Sequence, residues 1–254
     1  MPVFGIDISK YQKGIDMDRV KAAGVKFAIL RGAYNLSKDS CFEGFYAACK
    51  ERGIHVGVYH YSMARTVTEA RQEARFMIQK VLKGKQFEYP IWYDVEDKVQ
   101  RALSKSLLTD IVRTYCAELE RAGYYVGIYS SKSFFGTELD ETRLQPYDKW
   151  IAQWGKKCTY SGSFGLWQFG GESNMIRSNK IAGRVVDQNY AFRDYPTIIK
   201  NADLNGYISE KTLNRLAHEV LDGKWGTGAA RKRALTAAGY DYAAVQDKVN
   251  DLLK

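Results

Sequence analysis

The sequence predicts an α/β chain: an irregular (β/α)5(β)3 barrel followed by a small three-helix bundle. Three patterns lead there. Eight short apolar runs rich in Val, Ile, Tyr and Trp read as buried strands. The first five alternate with stretches of helical spacing, and strand alternating with helix implies a parallel sheet. The last three are separated only by turn-rich segments such as Thr159-Tyr160-Ser161-Gly162-Ser163 and Gly170-Gly171-Glu172-Ser173-Asn174, which are loop chemistry.

In chain order the strands are expected at 3–9, 27–34, 55–62, 89–96, 125–131, 150–154, 165–169 and 184–190. Helices are expected over 40–52, 67–82 and 104–122, with Gly53, Gly84 and Gly123 placed to end them. After Pro196 the polar run Asn201-Ala202-Asp203-Leu204-Asn205-Gly206 suits a boundary. The chain therefore divides into a barrel over 1–196, a linker over 197–211 and a module over 212–254. In the module, 213–221, 229–237 and 242–253 carry helical apolar spacing between glycine-containing turns.

Composition narrows the function classes. With 45% hydrophobic and 26% charged residues, the 254-residue chain is ordinary globular protein. Its formal charge of +9 favours anionic partners. The basic residues are scattered apart from Arg231-Lys232-Arg233, so nucleic acid is not the expected partner. Cys41, Cys49, Cys116 and Cys158 form no CxxC pair and the three histidines are dispersed, so no metal or cofactor is expected and the thiols read as reduced. The N-terminus has neither the basic nor the apolar region of a signal peptide, and no stretch approaches the ~20 apolar residues of a membrane span. No membrane insertion is expected; action outside the membrane would need another export route.

The chemistry concentrates in acids at strand ends. In Tyr93-Asp94-Val95-Glu96, alternation puts Asp94 and Glu96 on one face at the C-terminal end of a strand, where barrel enzymes place their sites. Two carboxyls so close, walled by aromatics, cannot both ionise freely, so one keeps its proton near neutral pH and can serve as a general acid. Asp7 ends the first strand and Asp187 is placed at the end of the eighth, which neighbours the first in a closed barrel. Tyr34, Tyr59, Tyr61, Tyr129, Trp154 and Phe169 stand at other strand ends as candidates for a sugar-stacking groove. Acids plus aromatics, with neither metal nor Ser-His arrangement, indicate glycoside hydrolysis.

These residues resemble glycoside hydrolase family 25, the Chalaropsis-type lysozymes. The likeness runs through Gly5-Ile6-Asp7-Ile8-Ser9, Gly57-Val58-Tyr59-His60-Tyr61, Trp92-Tyr93-Asp94-Val95-Glu96, Gly127-Ile128-Tyr129-Ser130, Trp150-Ile151-Ala152-Gln153-Trp154, Leu166-Trp167-Gln168-Phe169 and Val186-Asp187-Gln188-Asn189. It implies an irregular TIM-like barrel that cuts the β-1,4 bond between N-acetylmuramic acid and N-acetylglucosamine in bacterial peptidoglycan. By motif position Glu96 would be the proton donor, Asp94 the partner stabilising the transition state, and Asp7 and Asp187 flanking acids, with Gln168 joining the aromatics in binding substrate. Substrate-assisted retention is the expected route, with direct attack by a carboxylate or water as alternatives.

The tail is similar to the CW-seven wall-binding repeat of phage lysins, through residues 217–226, Arg231, Ala238-Gly239-Tyr240-Asp241-Tyr242 and Val245-Gln246. The resemblance implies wall contacts from Gly223, Lys224, Trp225, Thr227, Arg231 and Tyr240. Thr227 departs from the family's usual Asn, and core packing is the competing reading for Trp225 and Tyr240. A single repeat gains from avidity, so association into homo-oligomers is expected. A wall-binding tail without a signal peptide suggests a phage endolysin made in the host cytoplasm and released to the wall. The competing functions are a non-catalytic peptidoglycan-binding barrel, which would be expected to have lost Glu96, and a chitinase-like enzyme, whose longer DxxDxDxE signature is missing.

Overall fold

The computed structural model describes residues 1–171, 178 and 180–254. Glu172–Asn174 of the expected loop lie outside the described residues. Eight strands close into a barrel: β1 (Val3–Ile8), β2 (Phe27–Tyr34), β3 (His55–Tyr61), β4 (Ile91–Asp94), β5 (Val126–Ser131), β6 (Asp148–Ala152), β7 (Leu166–Gly170) and β8 (Asp187–Ala191). Neighbours from β1 to β7 pair in parallel. The last strand, β8, runs antiparallel to both β7 and β1, completing the ring.

That reversal corrects the expected strand at 184–190. Arg184–Val185 belongs to a separate two-residue ladder with Lys180–Ile181, and β8 starts at Asp187. Asp187 therefore begins its strand rather than ending it. It still reaches the same mouth as Asp7, its register partner, because an antiparallel strand enters where its neighbours leave. Likewise β4 stops at Asp94, shorter than expected, and Glu96 stands just past the strand.

Helices cover the outside after each of the first five strands: α1 (Met17–Ala22), α2 (Phe42–Glu51), α3 (Val67–Phe76), α4 (Lys98–Arg101) with α5 (Lys105–Arg121), and α6 (Lys132–Glu138). The expected helix over 67–82 divides, since its last turn, Met77–Leu82, widens to π geometry. Starts are locally encoded: Thr66 and Glu69 make a capping box on α3, and Ser104 accepts from Leu107 N on α5. Between helices and sheet lies a continuous apolar layer that includes Val20, Leu30, Phe42, Val58, Ile111, Leu119 and Ile128.

The barrel interior is aromatic. Phe27, Tyr89, Trp92, Tyr129 and Trp150 pack there, with Trp92 edge-on to Trp150 at 5.7 Å between ring centroids. Glycines on neighbouring strands make the room: a Cβ on Gly127 would overlap the Trp92 ring, and one on Gly5 the Phe27 ring.

Residues 197–211, the expected linker, are fastened to the barrel. Helix α7 (Tyr195–Asn201) buries Tyr195 and Ile199 among the interior aromatics. Asn205, fully buried, donates to Phe87 O and Tyr89 O at 3.2 and 3.0 Å and accepts from Tyr125 N at 2.8 Å. Beyond it α8 (Glu210–Leu221), α9 (Gly228–Ala237) and α10 (Tyr242–Leu252) share a separate core of Leu216, Ala217, Val220, Leu235, Val245 and Val249.

Candidate active site

The ends of β1, β3 and β5, the segment after β4, and the start of β8 surround a cleft of about 180 Å³. Asp7, Asp94, Glu96 and Asp187 all line it, beside Tyr59, Tyr61, Tyr129 and Gln168. The expected acids thus meet at one opening. Asp94 is 3% exposed and Asp7 8%, while Glu96 is only half-buried.

Hydrogen bonds fix the floor. Asn189 Nδ2 and Gln168 Nε2 both donate to Asp7 Oδ2, at 2.7 and 3.0 Å. Asn189 Oδ1 in turn accepts from Trp150 Nε1, and Gln168 Oε1 accepts from Tyr129 OH and Trp154 Nε1. Glu96 is set by its backbone: Val95 N–H donates to Tyr129 O, Ser130 Oγ donates to Val95 O, and Asp97 caps α4 while accepting from Tyr61 OH at 3.0 Å.

Electrostatics follow from burial. Loss of hydration raises the Asp94 carboxyl well above the usual range, and the Glu96 and Asp7 charges raise it further, opposed by Arg31. Asp94 Oδ1 is buried without a hydrogen-bond partner among the described residues. Glu96 is also raised, first by burial and then by Asp7 and Asp97. Burial pushes Asp7 up to about 6 against the hydrogen bonds from Asn189 and Gln168. Burial and mutual repulsion thus act together on these carboxyls, favouring the protonated form within the cluster. The less solvated member of the close pair is Asp94.

Some expected groove residues lie elsewhere. Phe169 is core, stacked on Tyr190 at 4.5 Å, because its side chain alternates outward from the inward-facing Gln168. Tyr34 is exposed, stacks on Tyr61 at 5.1 Å and lines an adjoining cavity rather than the cleft. Trp154 stands half exposed, tied to the cleft through Gln168. Sequence reasoning gave no role to Arg31, Tyr11, Trp150 and Asn189, the last two appearing only within the family likeness. Arg31 carried a signal, a lone charge inside the apolar run Phe27-Ala28-Ile29-Leu30, while Tyr11 follows the strand as an unremarkable turn residue.

In the helical module Trp225 and Tyr240 pack on the bundle core, edge to face at 6.0 Å, and Trp225 Nε1 donates to Glu219. Arg231 is held by its own module, donating to Gly226 O and Gln246 Oε1. Gly223, Lys224 and Thr227 are exposed at one turn, and Thr227 precedes α9 without a side-chain capping bond.

Residues 6–176 match the model of Glycosyl hydrolases family 25. The chain belongs to that family. It is a glycoside hydrolase, and residues 214–253 match the CW_7 repeat. This family 25 hydrolase is similar to the lysozyme of Streptococcus phage Cp-7, 29% identical over 253 residues that cover 97% of the chain and 69% of the phage protein. Lysozyme M1 of Streptomyces globisporus is 26% identical over 202 residues, covering 71% and 68%. Among solved structures, the modular autolysin LytC of Streptococcus pneumoniae, in complex with a synthetic peptidoglycan ligand, superposes with a TM-score of 0.63 at 25% identity, over 75% of this chain and 47% of that one. A bacterial lysozyme of Streptomyces coelicolor shares the fold with a TM-score of 0.64 at 21% identity, over 80% and 98%.

Proposed function

We propose that this peptidoglycan hydrolase is a muramidase, cutting the β-1,4 bond between N-acetylmuramic acid and N-acetylglucosamine. The observation that carries the reading is the Asp94–Glu96 pair, two carboxyls raised by burial at a mouth ringed by Asp7 and Asp187. The lysozyme and autolysin relatives support the same substrate class.

Glu96, also raised by burial and by the Asp7 and Asp97 charges and the more accessible of the pair to substrate, gives its proton to the leaving glycosidic oxygen. Asp94, with its unpartnered Oδ1, accepts the N–H of the sugar's acetamido group and turns the carbonyl oxygen onto the anomeric carbon. Bond breaking and ring closure yield an oxazolinium ion. Water then adds to it with Glu96 as base, which restores the proton and retains configuration. Asp7, held by Asn189 and Gln168, and Asp187 supply negative charge near the developing cation. The wall itself would be held by the exposed turn Gly223, Lys224 and Thr227 with Arg231, Trp225 and Tyr240 framing it, and association through this repeat would add avidity. An endolysin released from the host cytoplasm to the wall fits this pairing of modules.

Purified peptidoglycan tests the reading. Wild type should clear its turbidity and leave muramic acid at the new reducing ends by mass spectrometry, while Glu96→Gln should lose activity by about 10²-fold or more. N-acetylglucosamine reducing ends, or full activity in Glu96→Gln, would overturn it. A barrel that only binds glycan would give no clearing at all.

A further inference from the structure

A second cavity, of about 350 Å³, adjoins the cleft and shares two of its walls, Tyr11 and Arg31. Its other lining residues include Lys10, Tyr34, Lys38 and Asp39. Charge is distributed unevenly there. Asp39 is buried and spent: Oδ2 accepts from Arg31 Nε at 2.7 Å and Lys10 N at 3.1 Å, and Oδ1 accepts from Cys41 N at 2.9 Å. Lys38 is paired with Glu43 and donates to Lys80 O.

Two cationic groups keep capacity. Arg31, 6% exposed, uses only Nε on Asp39 and bonds neither terminal amino group to a described residue. Lys10 has no carboxylate partner among the described residues. Both cations lie against one ring: Arg31 Cζ is 5.0 Å and Lys10 Nζ 5.7 Å from the centre of Tyr11, which is 74% exposed between the two cavities. Across the cavity stands the exposed Tyr34 ring on Tyr61. A sugar in the cleft would therefore lie beside a pocket with aromatic walls and a guanidinium edge suited to a planar anion.

We propose that this cavity is a subsite for a carboxylate carried on the substituent of the glycan bound in the cleft, with Arg31 and Lys10 as its ligands. The proposal rests on the muramidase reading, because muramic acid bears a lactyl group whose carboxyl is free or joined to a stem peptide that has carboxylates of its own. Placed beside a cleft lined by four acids, such a subsite gives an anionic polymer a favourable contact where the catalytic mouth repels it.

The test measures kcat and KM of full-length protein on soluble glycan oligomers in four forms: free lactyl carboxylates, lactyl groups reduced to alcohols, intact stem peptides, and stem peptides with amidated carboxylates. In wild type, kcat/KM for a carboxylate form over its neutral counterpart should be about 10, carried in KM, as expected for one charge-assisted contact. Lys10→Ala should bring that ratio toward one, and Lys10→Arg should restore it. Preference within the first pair of substrates identifies the lactyl carboxylate, and preference within the second identifies the peptide. A ratio near one in both pairs, or a ratio unchanged in Lys10→Ala, overturns the subsite. The muramidase reading fails separately, if wild type leaves no muramic acid reducing ends on intact peptidoglycan.

Discussion

Replacing Asp7 by Asn changes one charge in the floor of the cleft while sparing the bonds from Gln168 and Asn189, since both donate to the single oxygen Oδ2 and an amide oxygen can take that place. Burial lifts the Asp7 carboxyl from its ordinary 3.8 to about 6. The folded protein thus binds this proton more tightly than the unfolded chain, so the group costs stability progressively as pH rises from about 4 to about 6, and the full cost remains above that window. At ~1.4 kcal/mol per pH unit the cost is on the order of 3 kcal/mol. Removing the charge also relieves Asp94 and Glu96, which it holds up, so the neighbours act in the same direction. Urea unfolding of wild type and Asp7→Asn at pH 3.5, 5 and 7.5 measures the effect. The variant should be more stable by about 2–3 kcal/mol at pH 7.5, with the gap closing toward zero at pH 3.5. A gap independent of pH, or a variant weaker at pH 7.5, would refute the argument that desolvation dominates at Asp7.

Three further outcomes are expected. Gly171→Ala should remain folded by circular dichroism yet lose most of its hydrolytic rate, because its Cβ would overlap Asp187 Oδ1 and press on Trp154 at 3.0 Å. Asn205→Ala should lower unfolding free energy by roughly 2–4 kcal/mol in chemical denaturation, since it strands the Phe87 and Tyr89 carbonyls and the Tyr125 amide and removes a side chain suited to its positive φ of 55°. A thiol reagent counted by mass spectrometry should modify Cys41 and Cys158 in native protein while sparing Cys49, whose buried thiol is pushed up to about 12, and Cys116, whose thiol burial also raises well above the ordinary value.

What the sequence displayed was periodicity and local chemistry. The alternation of apolar runs and helical segments announced the five βα units, and the turn-rich connections announced that the last three strands lack helices. Strand direction was another matter. A run such as Val185-Val186-Asp187-Gln188 looks the same whether it travels up or down the barrel, and only pairing to β1 and β7 settles that Asp187 enters its strand at the mouth. The acids were legible because charge at the end of an apolar strand is conspicuous; Asn189 and Trp150 were not, because an amide and an indole are ordinary in a strand until one holds Asp7 and the other holds the first. Phe169 was misplaced by a single step of alternation, the difference between facing the cleft, as Gln168 does, and packing among Phe4, Trp167 and Tyr190. The stretch from Asn201 to Gly206 carried linker composition, yet its Asn205 is a buried clamp, a use of polarity that composition does not reveal.

The antiparallel last strand also sets when the molecule becomes competent. Asp7 leaves the ribosome well before its register partner Asp187 and its hydrogen-bond partner Asn189, which emerge only when nearly the whole barrel has been made. Until β8 slots between β7 and β1, the sheet stays open along two edges and the ring of acids lacks one member. A partly synthesised or truncated chain that lacks β8 therefore carries Asp94 and Glu96 without the assembled cleft, and closure of the barrel is what arms the enzyme.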